Sequence, residues 1–152
     1  MVEQKDTLIL IVDDNPNNLK VLGAMLSSRG HKVALAANGE ECLSFIDKQL
    51  PDLVFLDIMM PGLNGFEVCE KLKNDSRTSE IPVIFISALS NPQQIARAFE
   101  SGGSDYITKP INRSDILARA KVHLDIKKEH EKLRNQIAEM ELKINELEKL
   151  LR

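Results

Sequence analysis

The sequence predicts an α/β protein: a flavodoxin-like doubly wound domain with a five-stranded parallel sheet, whose last helix extends into a coiled coil. Three observations lead to this prediction. Five short apolar runs alternate with five helix-compatible stretches, which is typical of βα units around a parallel sheet. All seven glycines and all six prolines lie at or before Pro110, so the rest of the chain is one uninterrupted segment. That segment carries apolar residues at heptad spacing.

The strands are predicted from runs that are rich in apolar residues. Leu8–Val12 and Val83–Ile86 contain no polar residue, as strands covered on both faces require. In chain order we expect β1 at Leu8–Val12, β2 at Lys32–Ala36, β3 at Leu53–Leu56, β4 at Val83–Ile86 and β5 at Tyr106–Ile107. The less apolar β2 suits an edge. The usual strand order, 2-1-3-4-5, reverses direction between β1 and β3 and opens a crevice at their carboxyl ends.

Capping residues mark the starts of the predicted helices. Asn15-Pro16 and Asn91-Pro92 each place an asparagine at the N-cap and a proline at the first helical position. Asn38 and Asn64 supply the same type of cap. We therefore expect helices α1 to α5 over about residues 16–29, 39–49, 65–74, 92–101 and 112 onward.

The heptad pattern begins at Ile126. Apolar residues fill the d positions at Ile126, Leu133, Met140 and Leu147, and the a positions at Ile137, Ile144 and Leu151. Isoleucine at a with leucine or methionine at d favours a parallel two-stranded coiled coil. The g-to-e′ pairs Glu129–Arg134 and Lys143–Glu148 would be attractive. A lone helix would leave the apolar stripe exposed, so we predict a parallel homodimer.

The composition argues against several classes of protein. The longest apolar run, Leu8–Val12, is far shorter than the roughly 20 residues of a membrane span. Two cysteines, Cys42 and Cys69, cannot form a disulfide framework, and a reduced, cytoplasmic location is the default expectation. The net charge of −3 lacks the basic footprint of nucleic-acid binding. We expect neither a membrane nor a nucleic acid as a partner.

Polar side chains at the predicted strand ends converge on the crevice. Asp13 and Asp14 follow β1, Asp57 ends β3, Ser87 follows β4 and Lys109 follows β5. Three carboxylates repel one another, and Mg²⁺ would relieve that repulsion because it prefers carboxylate oxygens. The lysine and the serine would hold an anion with several oxygens beside a carboxylate nucleophile. Phosphoryl transfer needs such positioning and charge neutralisation.

The same residues lie in motifs that resemble the receiver domain of two-component response regulators. The motifs are Val12-Asp13-Asp14-Asn15, Leu56-Asp57-Ile58-Met59-Met60-Pro61-Gly62, Ile86-Ser87-Ala88 and Asp105-Tyr106-Ile107-Thr108-Lys109-Pro110. They occur in the order of the family, and jointly they are very specific. We therefore expect a receiver domain at residues 1–124 and a coiled-coil extension, continuous with the last helix, at residues 125–152.

The resemblance implies a phosphoacceptor and a metal site. Asp57 would accept a phosphoryl group from a histidine kinase or a phosphotransfer protein. Asp14, Asp57 and the backbone carbonyl of Met59 would bind Mg²⁺, and Asp13 would assist directly or through water. The side chain of Met59 cannot orient a water by hydrogen bonding, so we expect slow hydrolysis of the phosphoaspartate.

The resemblance also implies a switch. Lys109 would pair with the phosphoryl oxygens, Ser87 would close onto them, and Tyr106 would turn inward as Ser87 moves. The family further implies a cis peptide bond between Lys109 and Pro110, which X-Pro geometry permits. A shift at the start of α5 would then change the coiled coil, and an output domain is expected beyond Arg152.

Three other functions are open on this fold. A stand-alone receiver that acts by docking to other proteins is the first. A phosphatase with an aspartyl nucleophile would need a second aspartate two residues later as its acid, where Met59 stands. A flavin carrier would need a Ser/Thr/Gly-rich loop after β1, where Asp13-Asp14-Asn15-Pro16 would repel a phosphate. We expect a signalling domain, whose only reactions are self-phosphorylation on Asp57 and slow autodephosphorylation, and not an enzyme.

Overall fold

A computed structural model of the protein describes residues 7–152. One sheet contains five parallel strands in the order β2-β1-β3-β4-β5, which confirms the predicted doubly wound α/β fold. The strands are β1 Leu8–Val12, β2 Lys32–Ala36, β3 Leu53–Asp57, β4 Val83–Ser87 and β5 Asp105–Thr108. The helices are α1 Pro16–Ser27, α2 Gly39–Lys48, α3 Gly65–Lys73, α4 Pro92–Glu100 and α5 Arg113–Leu150.

Three strands extend beyond the apolar runs that predict them: β3 and β4 by one residue each, and β5 by one residue at each end. Asp57 pairs with Ile86 in the ladder between β3 and β4, and Ser87 pairs with Thr108 in the ladder between β4 and β5. The backbones of Asp57 and Ser87 are therefore held by the sheet itself. Ser87 was expected to follow β4 and is instead its last residue, because parallel pairing with β5 continues past the apolar run.

The predicted caps begin four of the helices. The side chains of Asn15, Asn38, Asn64 and Asn91 each accept a hydrogen bond from a backbone N–H of the first turn. Asn64 also forms a capping box with Glu67, which satisfies two otherwise unpaired donors. Since each of these helices follows a strand, the caps place the helix starts at the carboxyl edge of the sheet, beside the predicted site.

The core has two layers because successive strand residues point to opposite faces of the sheet. One layer packs α2, α3 and α4 against the side chains of Leu10, Val12, Val54, Leu56, Val83 and Phe85. The other packs α1 and α5 against Ile9, Ile11, Leu53, Phe55, Ile84 and Ile86. Both faces of the sheet are covered, which explains why the central runs are apolar at every position.

The last helix, α5, packs on the sheet in its first part and is exposed in its second part. Its first turns bury Ile116, Ala120 and Leu124 against the sheet, whereas the apolar a and d side chains are exposed from Ile126 at 47% to Leu147 at 59%. The helix nevertheless continues unbroken through this exposed part to Leu150. No helix within residues 7–152 combines the length and apolarity needed to cross a bilayer.

Two ion pairs tie the exposed part of α5 to the domain. The Nζ atom of Lys127 lies 3.2 Å from Oδ1 of Asp52, which precedes β3. The guanidinium of Arg134 bonds to the carboxylate of Glu80, which precedes β4. Arg134 was predicted to pair with Glu129 of a second copy, so an intrachain partner competes for the same side chain.

Candidate functional site

Three aspartates meet at the carboxyl edge of the sheet. Asp13 directly follows β1, and Asp57 ends the neighbouring strand β3. Asp13, Asp14 and Asp57 each offer a carboxylate oxygen within 4.8 Å of the others. Asp13 and Asp57 are buried, with 2% and 5% of their surface exposed, whereas Asp14 is exposed. The strand order thus brings together the acidic residues that the sequence placed at this edge.

Lys109 supplies the positive charge of the cluster. Its Nζ atom lies 3.3 Å from Oδ2 of Asp13 and 3.6 Å from Oδ2 of Asp57. The backbone N–H of Lys109 donates to the carbonyl oxygen of Ser87 at 2.9 Å, which fixes the residue just beyond the sheet. The peptide bond between Lys109 and Pro110 is cis, as the resemblance implies.

The environment of Asp57 disfavours its charge. Burial, followed by the nearby charge of Asp13, raises the pKa of the Asp57 carboxyl from 3.8 to about 6. The Lys109 ammonium and the Ile58 N–H, which donates to Oδ1 at 2.8 Å, act in the opposite direction. One ammonium and one amide therefore do not balance the loss of water and the repulsion between two buried carboxylates.

The donor set of this cluster fits a hard divalent cation. Three carboxylates face one ammonium, so a dipositive ion would balance the remaining negative charge. Carboxylate and carbonyl oxygens are the ligands that Mg²⁺ accepts in proteins, together with several waters. Asp14 lies at the exposed side of the cluster, where such waters have access. The backbone carbonyl of Met59 stays a predicted ligand.

Asn18 and Gly65 contact the aspartates of the site and were not predicted as functional residues. Oδ2 of Asp13 accepts a hydrogen bond from Nδ2 of Asn18 at 3.1 Å, and Oδ1 accepts from the Asn15 N–H at 2.9 Å. Gly65 packs directly on the backbone of Asp57, because a Cβ atom there would lie 2.3 Å from the carbonyl oxygen of Asp57. In the sequence, these two residues could have been recognised only as an asparagine in the first turn of α1 (Asn18) and a glycine directly after an N-cap (Gly65).

Hydrogen bonds through Leu89 connect the two predicted switch residues. The Leu89 N–H donates to Oγ of Ser87 at 3.1 Å, and the Leu89 carbonyl oxygen accepts from the Tyr106 hydroxyl at 2.5 Å. The side chains of Ser87 and Tyr106 are both buried. The Tyr106 ring therefore already lies inward in this structure, while the Ser87 hydroxyl is bonded to the loop after β4. Leu89 was not predicted, since only its backbone takes part.

A family model for the response regulator receiver domain matches residues 9–121. The chain belongs to this family. The matched range contains each residue that the motifs assign to the site. The protein is thus a receiver domain of two-component response regulators, as its motifs predict.

Relatives extend this finding. Response regulator PleD of Caulobacter vibrioides is 42% identical over 113 residues, which cover 74% of this chain and 25% of PleD. A probable cyclic di-GMP phosphodiesterase of Vibrio cholerae is 35% identical over 136 residues, which cover 90% of this chain and 31% of that protein. The chain thus spans less than a third of either relative.

A solved structure has the same fold. It is that of a CheY-like response regulator receiver domain protein from Methanospirillum hungatei, with a TM-score of 0.78 and 28% identity. The match covers 83% of this chain and 99% of that chain. Response regulators receive phosphoryl groups from histidine kinases, and receiver domains bind Mg²⁺ at an acidic pocket. Asp13, Asp14 and Asp57 form an acidic cluster in this chain.

Proposed function

We propose that Asp57 is the phosphoacceptor, that a histidine kinase or a phosphotransfer protein is the donor, and that the signal leaves through α5. One observation carries the proposal. The Asp57 carboxylate is buried at a strand end, with a second buried carboxylate beside it and the Lys109 Nζ atom 3.6 Å from its Oδ2. A buried acid with so little compensation is costly in a purely structural role.

The proposed reaction is the attack of a carboxylate oxygen on phosphorus. A P–O bond forms at Asp57 while the P–N bond of the donor phosphohistidine breaks, and the leaving imidazole takes up a proton from solvent. Because the pKa of Asp57 is about 6, most of the carboxyl is ionised and nucleophilic at neutral pH. Lys109 would bind the incoming phosphoryl oxygens. Mg²⁺, held by Asp13, Asp14, Asp57 and the Met59 carbonyl, would supply charge neutralisation.

The hydrogen bonds of Leu89 provide a route for the signal. The phosphoryl group adds three acceptor oxygens and a charge of about −1.5 to −2. In the proposed switch the Ser87 hydroxyl rotates to donate to one of these oxygens and releases the Leu89 N–H. Leu89 also holds the Tyr106 hydroxyl at 2.5 Å, so a shift of this loop reaches β5 and the start of α5.

We infer that residues 125–152 form a parallel two-stranded coiled coil, beyond a receiver domain at residues 1–124. The exposed a and d side chains of α5 support a second copy as their partner. In a chain of 152 residues, the 136-residue match to the Vibrio cholerae protein reaches well into this helix. That protein's name makes a cyclic dinucleotide enzyme one class of output that such a coiled coil would control.

The test is phosphorylation with a small donor. With Mg²⁺ and acetyl phosphate, we expect one phosphoryl group per chain, located on Asp57 by mass spectrometry. Asp57→Asn should abolish the adduct, whereas the exposed control Asp47→Asn should retain it. An adduct at another residue would contradict the assignment, and continuous release of phosphate would favour a phosphatase.

The proposed coiled-coil dimer, and its response to phosphorylation, are tested separately by sedimentation equilibrium. We expect a dimer whose dissociation constant changes with phosphorylation in the wild type and not in Asp57→Asn. A chain that is phosphorylated on Asp57 but monomeric would contradict the coiled coil and favour a stand-alone receiver that acts by docking.

A further inference from the structure

A cavity of about 590 Å³ lies against α5, far from the acidic cluster. Two residues of its wall, Thr7 and His31, directly precede β1 and β2. The cavity is therefore at the amino ends of these strands, whereas Asp57 lies at the carboxyl edge. Its volume is within the range of small-molecule sites, and the proposed phosphorylation chemistry does not use it.

The lining is strongly basic in a chain whose net charge is −3. Among the wall residues within 7–152, Asp125 is the one acidic residue, and it bonds to Lys121 at 2.8 Å. The remaining cations of the wall are Arg29, Arg113 and Lys128. The pKa of His31, another residue of the wall, is lowered first by burial and second by the positive charge of Lys128. The charge of Lys128 therefore acts on the cavity.

Two arginines, Arg29 and Arg113, line the cavity, and a hydrogen bond connects Arg113 to the turn that contains Arg29. Arg113 donates from a terminal nitrogen to Oγ of Ser28 at 2.9 Å, and Ser28 is the neighbour of Arg29 in the chain. Within residues 7–152, neither arginine forms an ion pair with a carboxylate. A phosphate group is the anion whose geometry matches guanidinium forks.

The rest of the lining is suited to a planar, weakly polar group. Leu117 and Leu124 contribute apolar surface, and the lowered pKa of His31 favours its neutral imidazole. Arg113 and Lys121 are eight residues apart on α5, which is about 12 Å along the helix. This length accommodates a phosphate chain followed by a sugar and a base.

We propose that this cavity binds a nucleoside di- or triphosphate, with its phosphates between Arg29 and Arg113 and its base against Leu117 and Leu124. The site is independent of the proposed phosphorylation at Asp57. The turn after α1, through Arg29, and α5 both contribute to it, so the ligand would bridge this turn to the helix that continues into the heptads.

The experiment is calorimetric titration of the full chain with ATP, ADP, tripolyphosphate and adenosine. Divalent cations are left out, so that the acidic cluster cannot bind a nucleotide through a metal. We expect one ATP or ADP per chain, with tripolyphosphate and adenosine each binding at least tenfold more weakly. Arg113→Gln should raise the dissociation constant for ATP about tenfold, the usual effect of losing a charge-assisted hydrogen bond. Lys128→Glu, at an exposed position, should raise it as well.

The matched control is Lys71→Gln, which removes one positive charge from the exposed surface of α3 and should leave ATP binding unchanged. Thermal unfolding followed by circular dichroism checks that each variant is folded. The proposal is overturned if ATP does not bind at millimolar concentration, or if Lys71→Gln weakens binding as much as Arg113→Gln. Equal affinity for tripolyphosphate and ATP would overturn the assignment of the base to the apolar wall.

Discussion

The buried carboxylate of Asp57 opposes folding at neutral pH, and its replacement by asparagine measures how strongly. The pKa of this carboxyl is raised from 3.8 to about 6, first by burial and then by Asp13. The folded state therefore binds a proton more tightly than the unfolded state does. The stabilising effect of that proton is complete below pH 3.8 and is lost as the pH rises through about 6.

The size of the effect follows from the same values. A pKa difference between 3.8 and about 6 corresponds to about 3 kcal/mol of unfolding free energy at pH 7. Asparagine has nearly the same shape, keeps an oxygen that can accept from the Ile58 N–H, and carries no charge. We therefore expect Asp57→Asn to raise the free energy of unfolding at pH 7 by up to about 3 kcal/mol when divalent cations are absent.

The assay is urea unfolding in EDTA, followed by far-ultraviolet circular dichroism at a series of pH values. The difference between Asp57→Asn and the wild type should be near zero around pH 4 and should grow up to about pH 7. Asp47→Asn is the control, because its side chain is 78% exposed and should change stability by less than about 1 kcal/mol. A variant no more stable than the wild type at pH 7, or a difference independent of pH, would refute this reasoning.

Four further outcomes are expected. Mg²⁺ should raise the urea midpoint of the wild type more than that of Asp57→Asn, as a ligand that binds only the folded state does. Gly65→Ala should lower the free energy of unfolding by about 1–3 kcal/mol, since its Cβ would lie 2.3 Å from the Asp57 carbonyl oxygen. Met59→Asn, at a side chain that is 64% exposed, should shorten the lifetime of the phosphoaspartate severalfold in a decay assay, because an amide can orient a water. Glu80→Gln should free Arg134 for the coiled coil and lower the dimer dissociation constant about two- to fivefold at low salt, measured by sedimentation; an unchanged constant would show that Glu80 does not compete.

The elements and their order were predictable because their signals are local. The apolar run at Val83–Ile86 requires a strand covered on both faces, and it lies in the centre of the sheet. Asn15-Pro16 marks a helix start by its own chemistry, and the helix begins there. The strand ends were less predictable, because β3, β4 and β5 are extended by pairing with their neighbours.

The candidate site was predictable in its residue types and not in its supporting contacts. Asp13 and Asp57 follow from the strand order alone, since parallel strands end at one edge. The bond from Asn18 to Asp13 and the packing of Gly65 on Asp57 depend on side-chain placement that no spacing reveals. The link from Ser87 through the Leu89 backbone likewise required coordinates.

By itself the sequence determined the fold class, the family and the residues gathered at the carboxyl edge, because periodicity, caps and motifs are properties of neighbouring residues. Only the tertiary structure decided how strongly the charge of Asp57 is opposed, which partner Arg134 bonds to, and that Arg113 bonds to Ser28 in the turn after α1. Burial and electrostatic energy depend on distances between groups that are remote in the chain, and folding alone sets those distances.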